Sequence, residues 1–193
     1  MDKRQIGLFF GSFNPVHIGH LILANYMATQ TDLDEVWIVV SPHNPLKSRG
    51  SLANDHDRLH LVQLAIGDNP RLRPSRVEFD LPKPSYTVDT LAVLREKYPD
   101  NSFALIMGSD NLQSFAKWKN HDIILRDYRV LVYRRPGYDD GPFAGHPSVT
   151  VFDAPLMQIS ATYVRKLLRA GQSVRYLVPP AVEEELLRSG MYR

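Results

Sequence analysis

Residues 10–20 read FGSFNPVHIGH, with a short apolar run before them and a helical pattern after them. Ile6–Phe10 has the length of a buried strand, and Leu21–Gln30 has the spacing of a helix. The stretch therefore lies at a strand-to-helix junction. A helix N-terminus presents free N–H groups and the positive end of the helix dipole, which suits a phosphate group. Two histidines, His17 and His20, stand there, while the glycine-rich dinucleotide pattern and the Gly-Lys-Ser/Thr phosphate loop are both missing.

Strands and helices continue to alternate along the chain. Further strands are predicted at Val36–Val40, Phe103–Met107 and Val130–Tyr133, with a weaker candidate at Arg76–Phe79. Helices are predicted at Asp57–Ile66 and Tyr86–Tyr98, from Ser160 to Gly171 and from Pro180 to Gly190, and a long surface loop at Arg135–Ser148. The alternation indicates an α/β fold, a Rossmann-like doubly wound and mostly parallel sheet flanked by helices. With 193 residues we expect a single domain, 1–193, whose residues 160–193 form a small helical C-terminal part.

The composition is that of an ordinary globular protein and excludes several classes of function. A net charge of +2 gives no general attraction to nucleic acid or to an anionic membrane, and Glu183–Glu185 would repel phosphate. The chain has no cysteine, so it forms neither a disulfide nor a thiolate metal site, and a cytoplasmic protein is expected. The apolar run after Lys3-Arg4 is too short for a signal sequence or a spanning helix. We therefore expect no nucleic acid or membrane partner, while a homo-oligomer stays possible.

Two groups of side chains are suited to phosphate. Imidazoles at a helix start, here His17 and His20, can donate hydrogen bonds to phosphate oxygens whose charge grows in a transition state. The simpler interpretation is that both histidines only cap or cover the helix. Ser160 stands at a predicted N-cap, with Thr162 in the first turn and Arg165 near the same face. These hydroxyls and the guanidinium predict a polyphosphate site, although an amphipathic helix without a ligand would show the same capping residue.

Gly11–His20 resembles the G-[ST]-F-[DN]-P-x-H-x-G-H signature of the nucleotidyltransferase superfamily, which also includes the catalytic domains of class I aminoacyl-tRNA synthetases. A synthetase is excluded because the chain has neither room for an anticodon-binding domain nor a Lys-Met-Ser-Lys-Ser type loop. Three further segments occur in the order and spacing of bacterial nicotinate-nucleotide adenylyltransferases: Pro84–Thr87, Gly108–Asp110 with the later Lys117-Trp118, and Ile159–Arg165. The resemblance covers essentially the whole chain. The chain departs from the commonest form of the family pattern at Asn14, where aspartate is usual.

The resemblance implies that the protein transfers the adenylyl group of MgATP to nicotinate mononucleotide, giving nicotinate adenine dinucleotide and pyrophosphate in NAD biosynthesis. The catalytic residues would be His17, His20, Lys47 and Arg165. The ATP-binding residues would be Gly11, Ser12, Phe13, His20, Gly108, Asp110, Ile159, Ser160, Thr162 and Arg165. The mononucleotide would contact Ser12, Asn14, His17, Lys47, Ser85, Tyr86, Thr87, Trp118 and Arg134, with the ring of Trp118 stacked on the pyridine. Mg²⁺ is expected to arrive with ATP, and no side chain is predicted as a metal ligand.

Several alternatives remain open from the residues alone. The same chemistry could use nicotinamide mononucleotide or phosphopantetheine as the acceptor, because the signature stretch concerns only the phosphates. A non-enzymatic nucleotide-binding module is a third possibility, against which the intact histidines and the Ser160 helix start speak. Trp118 could belong to the core, as most aromatic side chains do, and Lys47 could be a solvated loop lysine.

Overall fold

The computed structural model describes residues 3–42, 52–155 and 157–193. These residues form six strands: β1 (Arg4–Gly11), β2 (Glu35–Val40), β3 (Leu72–Ser75), β4 (Asn101–Gly108), β5 (Arg129–Tyr133) and β6 (Val149–Phe152). Within the same ranges there are seven α-helices: α1 (Ile18–Gln30), α2 (Asp55–Ile66), α3 (Thr87–Lys97), α4 (Ser109–Gln113), α5 (His121–Asp127), α6 (Ala161–Arg169) and α7 (Pro180–Ser189). None of these helices combines the length and the apolar character needed to cross a membrane.

The six strands form one parallel sheet in the order β3-β2-β1-β4-β5-β6. The chain builds outward from β1 to β3, returns to the middle, and then builds outward again from β4 to β6. The direction of winding therefore reverses between β1 and β4. In open parallel sheets, ligands bind in the crevice at the carboxyl ends of the strands at such a point. Here those ends are Gly11 and Gly108, so the topology places a binding site at the stretch that follows β1.

Apolar side chains fill both faces of the sheet, as the predicted α/β fold requires. Because successive strand residues point to opposite faces, Ile6 and Leu8 lie on one side while Phe9 lies on the other. The Phe9 side is covered by α1, α2, α6 and α7, and the Leu8 side by α3, α4 and α5. The predicted doubly wound arrangement is thus confirmed.

Two edge strands differ from the sequence prediction. The candidate strand Arg76–Phe79 is wrong: the strand is Leu72–Ser75, and a 3₁₀ turn follows at Val77–Asp80. The segment Leu-Arg-Pro-Ser has no apolar run, and its proline is tolerated because β3 pairs on one side only. The other edge strand, Val149–Phe152, was not predicted because it is short and follows the long loop. Edge strands bury less surface and therefore leave a weaker hydrophobic pattern.

The C-terminal helices follow the sequence signals closely. Ser160 is the N-cap of α6, and its Oγ accepts a hydrogen bond from the Tyr163 N–H at 3.1 Å. Pro180 is the first residue of α7, where its fixed φ fits the helix and its missing N–H costs nothing. Gly190 ends α7 with a left-handed φ of 68°.

Candidate active site

A cavity of about 1040 Å³ opens at the carboxyl ends of β1 and β4. Its wall contains most of the residues that the sequence predicts for substrate binding, and it brings together Asn14 and Arg165, which lie 151 residues apart. The predicted residues in the wall are Gly11, Ser12, Phe13, Asn14, His17, His20, Ser85, Tyr86, Thr87, Asp110, Trp118, Ile159, Ser160, Thr162 and Arg165. Lys47 lies outside the described residues, and Gly108 and Arg134 are not in the wall.

The loop from β1 to α1 is folded tightly against the strand that precedes it. Phe13 has a left-handed φ of 44°, which turns its ring back over Gly11. A Cβ on Gly11 would lie 2.8 Å from that ring, so only glycine fits there. The Phe13 ring also packs edge-on against Phe9 and His20, with centroids 5.7 and 5.0 Å away. The loop thus has one defined path beside the cavity.

His17 and His20 form a stacked pair at the start of α1. Their ring centroids are 3.6 Å apart with planes 24° from parallel. His17 occupies the N-cap position, and its backbone N–H donates to Nδ1 of His20 at 3.2 Å. The His20 ring thus helps to cap α1, while the role of the two histidines toward phosphate stays a prediction. Because Nδ1 of His20 accepts a hydrogen bond, the proton of its neutral ring is on Nε2, which makes Nε2 a donor.

Burial keeps the other ring, that of His17, neutral. Its side chain is buried, and the desolvation, together with the nearby positive charge of Arg135, lowers the pKa of His17 to about 4. The stacking also disfavours a state in which both rings are charged, since two imidazolium rings at this distance would repel each other. A neutral imidazole ring carries one N–H group and can therefore donate one hydrogen bond to a phosphate.

The signature loop, residues 12–17 between β1 and α1, is also held by a buried arginine. Arg58 on α2 has no exposed surface, and its guanidinium donates to the backbone carbonyls of Ser12, Ser41 and Ala53. Asp55 accepts a fourth hydrogen bond at 2.6 Å and balances the charge. Arg58 therefore joins the loop after β1 to the end of β2 and the start of α2. The sequence offers no signal for this role, because an arginine in a helical pattern is usually solvated.

The start of α6 forms the opposite wall. Ser160 and Thr162 lie in the wall of the cavity, and Arg165 donates to Thr162 Oγ1 at 3.2 Å and to the backbone carbonyl of Asn14 at 2.7 Å. The predicted convergence of hydroxyl groups and a guanidinium is thus present. Because Arg165 contacts Asn14, α6 and the signature loop form one continuous surface.

The end of β4 carries a charged pair. Asp110 follows Gly108, and its Oδ2 accepts a hydrogen bond from Arg135 at 3.1 Å. Gly108 is not in the wall of the cavity. A Cβ at this position would clash with the side chains of both Asp110 and Arg135, which explains why the position holds a glycine. Arg135 is in the wall, whereas Arg134 turns outward and is held by Asp140 and Asp153 at 2.7 Å each. The structure therefore places the neighbour of the predicted Arg134 at the cavity.

The wall near α3 is both aromatic and polar. Trp118 is half-buried and packs on Phe115, with ring centroids 5.2 Å apart. Lys119 lies over the Tyr86 ring at 4.8 Å and is paired with Asp89 at 2.8 Å. Trp118 thus belongs partly to the core, yet it is also in the cavity wall. Its stacking on the pyridine stays a prediction.

A buried carboxyl lies beside this wall. Glu78 is 2% exposed and accepts a hydrogen bond from the Thr90 hydroxyl at 2.9 Å. Burial raises the pKa of Glu78, while hydrogen bonds from Ser41 and Thr90 act in the opposite direction. Glu78 is not predictable as a site residue from the sequence, because it lies in Arg76–Phe79, which has the pattern of a strand.

Unpartnered polar atoms distinguish this cavity from the rest of the described chain. Buried polar atoms are almost always hydrogen-bonded in folded proteins, so an atom without a protein partner marks a position where water or a ligand supplies one. Among the described residues five buried side-chain atoms have no partner: His17 Nδ1, Ser85 Oγ, Asp110 Oδ1, Trp118 Nε1 and Arg165 Nε. All five belong to residues in the wall of this one cavity. Across the described ranges no cluster of three or more histidine and carboxylate side chains could hold a metal ion.

Comparison with known proteins identifies the family. The cytidylyltransferase-like family model matches residues 8–167. A protein of Cytophaga hutchinsonii named probable nicotinate-nucleotide adenylyltransferase is 54% identical over 97% of this chain and 98% of its own length. The chain belongs to the nicotinate-nucleotide adenylyltransferase family. A second protein of that name, from Flavobacterium psychrophilum, is 49% identical over 98% of this chain and 99% of its own length.

The fold of this nicotinate-nucleotide adenylyltransferase family member also has close structural relatives. Plasmodium falciparum nicotinic acid mononucleotide adenylyltransferase, solved in complex with NaAD, superposes with a TM-score of 0.83. The alignment covers 98% of this chain and 97% of that protein, at 18% sequence identity. At this identity the likeness concerns the fold. The Rossmann-like fold inferred from the sequence is the fold of that enzyme.

Proposed function

We propose that this protein transfers the adenylyl group of MgATP to nicotinate mononucleotide, forming nicotinate adenine dinucleotide and pyrophosphate for NAD biosynthesis in the cytoplasm. The observation that carries the proposal is the full-length identity of 54% to a relative of that name, combined with a cavity whose wall holds the family's motifs. The five unpartnered atoms in the wall support a polar ligand.

The reaction needs little acid–base chemistry from the protein. An oxygen of the mononucleotide phosphate forms a bond to the α-phosphorus of ATP, and the bond from that phosphorus to the β-phosphate oxygen breaks. The second pKa of a phosphate monoester is about 6, so the attacking group is ionised at neutral pH. Catalysis then comes from positioning the two phosphates and stabilising the charge that develops between them. The described part of the cavity wall contains donors for both tasks.

The histidine pair and α6 face the phosphates from two sides. Nε2–H of His20 donates to an oxygen of the reacting α-phosphate, and the neutral His17 contributes a second contact. Ser160, Thr162 and Arg165 hold the triphosphate, with the guanidinium of Arg165 beside the departing charge. Lys47 joins them on the resemblance alone. Mg²⁺ enters as part of the MgATP substrate, where it shields the pyrophosphate oxygens.

The wall near α3 holds the mononucleotide. The Trp118 ring offers a stacking surface for the pyridine, and the family resemblance assigns the nicotinate carboxylate to backbone N–H groups near Tyr86-Thr87 and after Trp118. A carboxylate accepts from N–H donors through both oxygens, whereas an amide presents one acceptor oxygen and an NH₂ group that cannot pair with such donors. A site that leaves a buried donor unpaired discriminates strongly against the wrong ligand. Besides Arg165, the guanidinium that lines this cavity is that of Arg135 and not that of Arg134.

The test is pyrophosphate release from MgATP with one acceptor offered at a time: nicotinate mononucleotide, nicotinamide mononucleotide or phosphopantetheine. We expect release with the first at a kcat/KM at least tenfold above that with the second. Preferential release with another acceptor would retain the chemistry and refute the assignment of the mononucleotide wall. No release with any of the three would refute adenylyl transfer and favour a nucleotide-binding module.

A further inference from the structure

The signature loop is fixed through one residue, Asn14, whose side-chain oxygen is hydrogen-bonded within the protein. Asn14 is 4% exposed, and its Oδ1 lies 3.0 Å from the Ala53 N–H and 2.7 Å from the Tyr192 hydroxyl. A backbone N–H can only donate, so the Asn14 atom it meets is the carbonyl oxygen, and Tyr192 donates to it as well. The backbone carbonyl of Asn14 accepts from Arg165. One residue thus connects the signature loop to α2, α6 and the segment after α7.

Tyr192 is held in a defined place after α7. Gly190 ends the helix, and Tyr192 has a φ of 67°, which is uncommon for a residue with a side chain. Its ring packs against the core cluster on the Phe9 face of the sheet. Burial raises the pKa of the Tyr192 phenol, so at neutral pH the hydroxyl keeps the proton that it donates. Tyr192 is not in the wall of the cavity, and no direct contact with a substrate follows from its position.

We propose that Tyr192 is a positioning residue for adenylyl transfer, whose hydroxyl fixes Asn14 and through it the path of the signature loop. The proposal rests on the proposed function for its kinetic part. Asn14 stands two residues after Ser12 and three before His17, so a rotation of Asn14 displaces backbone on both sides. It also displaces the carbonyl on which Arg165 depends. Small displacements of groups that align reacting phosphates lower the rate strongly.

The kinetic test compares Tyr192→Phe with wild type and with Tyr176→Phe as a matched control. Tyr176 is 82% exposed, so its hydroxyl fixes nothing in the fold. We expect Tyr192→Phe to lower kcat three- to tenfold, because one buried hydrogen bond is lost while Ala53 still donates to Asn14. KM for nicotinate mononucleotide should stay within twofold, because Tyr86 and Trp118 are untouched. An unchanged kcat, or a rise in both KM values without loss of kcat, would overturn the proposal.

A second readout does not depend on activity. Amide hydrogen exchange of Ala53 and of residues 11–17, measured on the full chain without substrate, should become faster in Tyr192→Phe and stay at the wild-type rate in Tyr176→Phe. If the wild type proves inactive with every acceptor, the proposed function fails while this measurement still decides whether Tyr192 holds the loop. Unchanged exchange together with normal pyrophosphate release would refute the positioning role alone.

A double-mutant comparison identifies the partner of Tyr192. Asn14→Asp keeps an acceptor in the same place and makes it charged, and a hydrogen bond to a charged acceptor is about twice as strong. We expect Tyr192→Phe to lower kcat by a larger factor in the Asn14→Asp background than in the wild type. Equal factors in the two backgrounds would show that Tyr192 acts through another residue and would overturn the proposal.

Discussion

One contribution to the acid destabilisation of this protein should come from His17. The pKa of His17 is lowered from 6.5 to about 4 in the folded chain, chiefly by burial. Unfolding exposes the ring and lets it take up a proton, so the unfolded state binds more protons than the folded state between pH 4 and 6.5. The stabilising contribution of a neutral His17 is therefore complete above pH 6.5, falls as the pH drops through this window, and stays constant below it.

The size of the effect follows from the two pKa values. Each pKa unit corresponds to about 1.4 kcal/mol, so the full contribution is about 3 kcal/mol, and about 2.5 kcal/mol of it disappears between pH 7.5 and 4.5. Buried carboxyls such as Glu78 also respond to pH, so the total slope is not diagnostic. The difference between wild type and His17→Asn isolates this histidine, since asparagine is a good N-cap and does not titrate.

The assay is urea unfolding at pH 7.5, 6.5, 5.5 and 4.5, with His60→Gln as a control for an exposed histidine. The free energy of unfolding of wild type should fall relative to that of His17→Asn by about 2.5 kcal/mol across the series. The control should keep the wild-type profile. Parallel profiles for wild type and His17→Asn would refute the inference that His17 is buried as a neutral ring, and with it the charge state assigned to the histidine pair.

Three further predictions concern activity. His20→Gln should lower kcat by about 10²-fold, because the imidazole donor to the phosphate is lost. Its melting temperature should stay within a few degrees, because glutamine keeps an acceptor at the third position of α1. His20→Ala should also destabilise the fold, by about 1 kcal/mol, because the His17 N–H loses its partner. Trp118→Ala should raise KM for nicotinate mononucleotide at least tenfold more than KM for ATP, and equal effects would indicate a purely structural tryptophan. Arg135→Ala should lower kcat/KM for pyrophosphate release at least tenfold, whereas Arg134→Ala should stay within twofold; the reverse order would contradict the geometry of the cavity.

The central part of the fold could be predicted because its signals are local. Val36–Val40 and Phe103–Met107 are continuous apolar runs, as strands buried on both faces must be, and Pro180 and Gly190 mark the two ends of a helix by their own backbone preferences. The edge strands could not be predicted in the same way. Leu72–Ser75 owes its conformation to pairing with β2, and nothing in its four residues requires a strand.

The site residues also differ in whether a local sequence signal marks them. Residues in contiguous motifs, such as Ser160 and Thr162, could be assigned because their spacing places them at one helix start. Arg58, Glu78 and Tyr192 could not, because each acts through partners that only the fold brings near. The sequence pointed to Arg134, whereas Arg135 lines the cavity, because two adjacent residues after a strand point to opposite sides and a shift of one residue exchanges the cavity for the surface.

The five unpartnered atoms also constrain what the ligand must be. A ligand that fills this cavity displaces water from the five atoms, and each atom that it leaves unpaired costs about 1–3 kcal/mol of binding free energy. Ser85, Trp118 and Arg165 can donate, whereas Asp110 can only accept while it is ionised. Because the donors predominate, the ligand that pairs most of these atoms is rich in acceptor oxygens and carries a smaller number of hydroxyl or amino donors. A phosphorylated nucleotide with a carboxylate meets this requirement, whereas an apolar ligand of the same volume would leave these atoms unpaired.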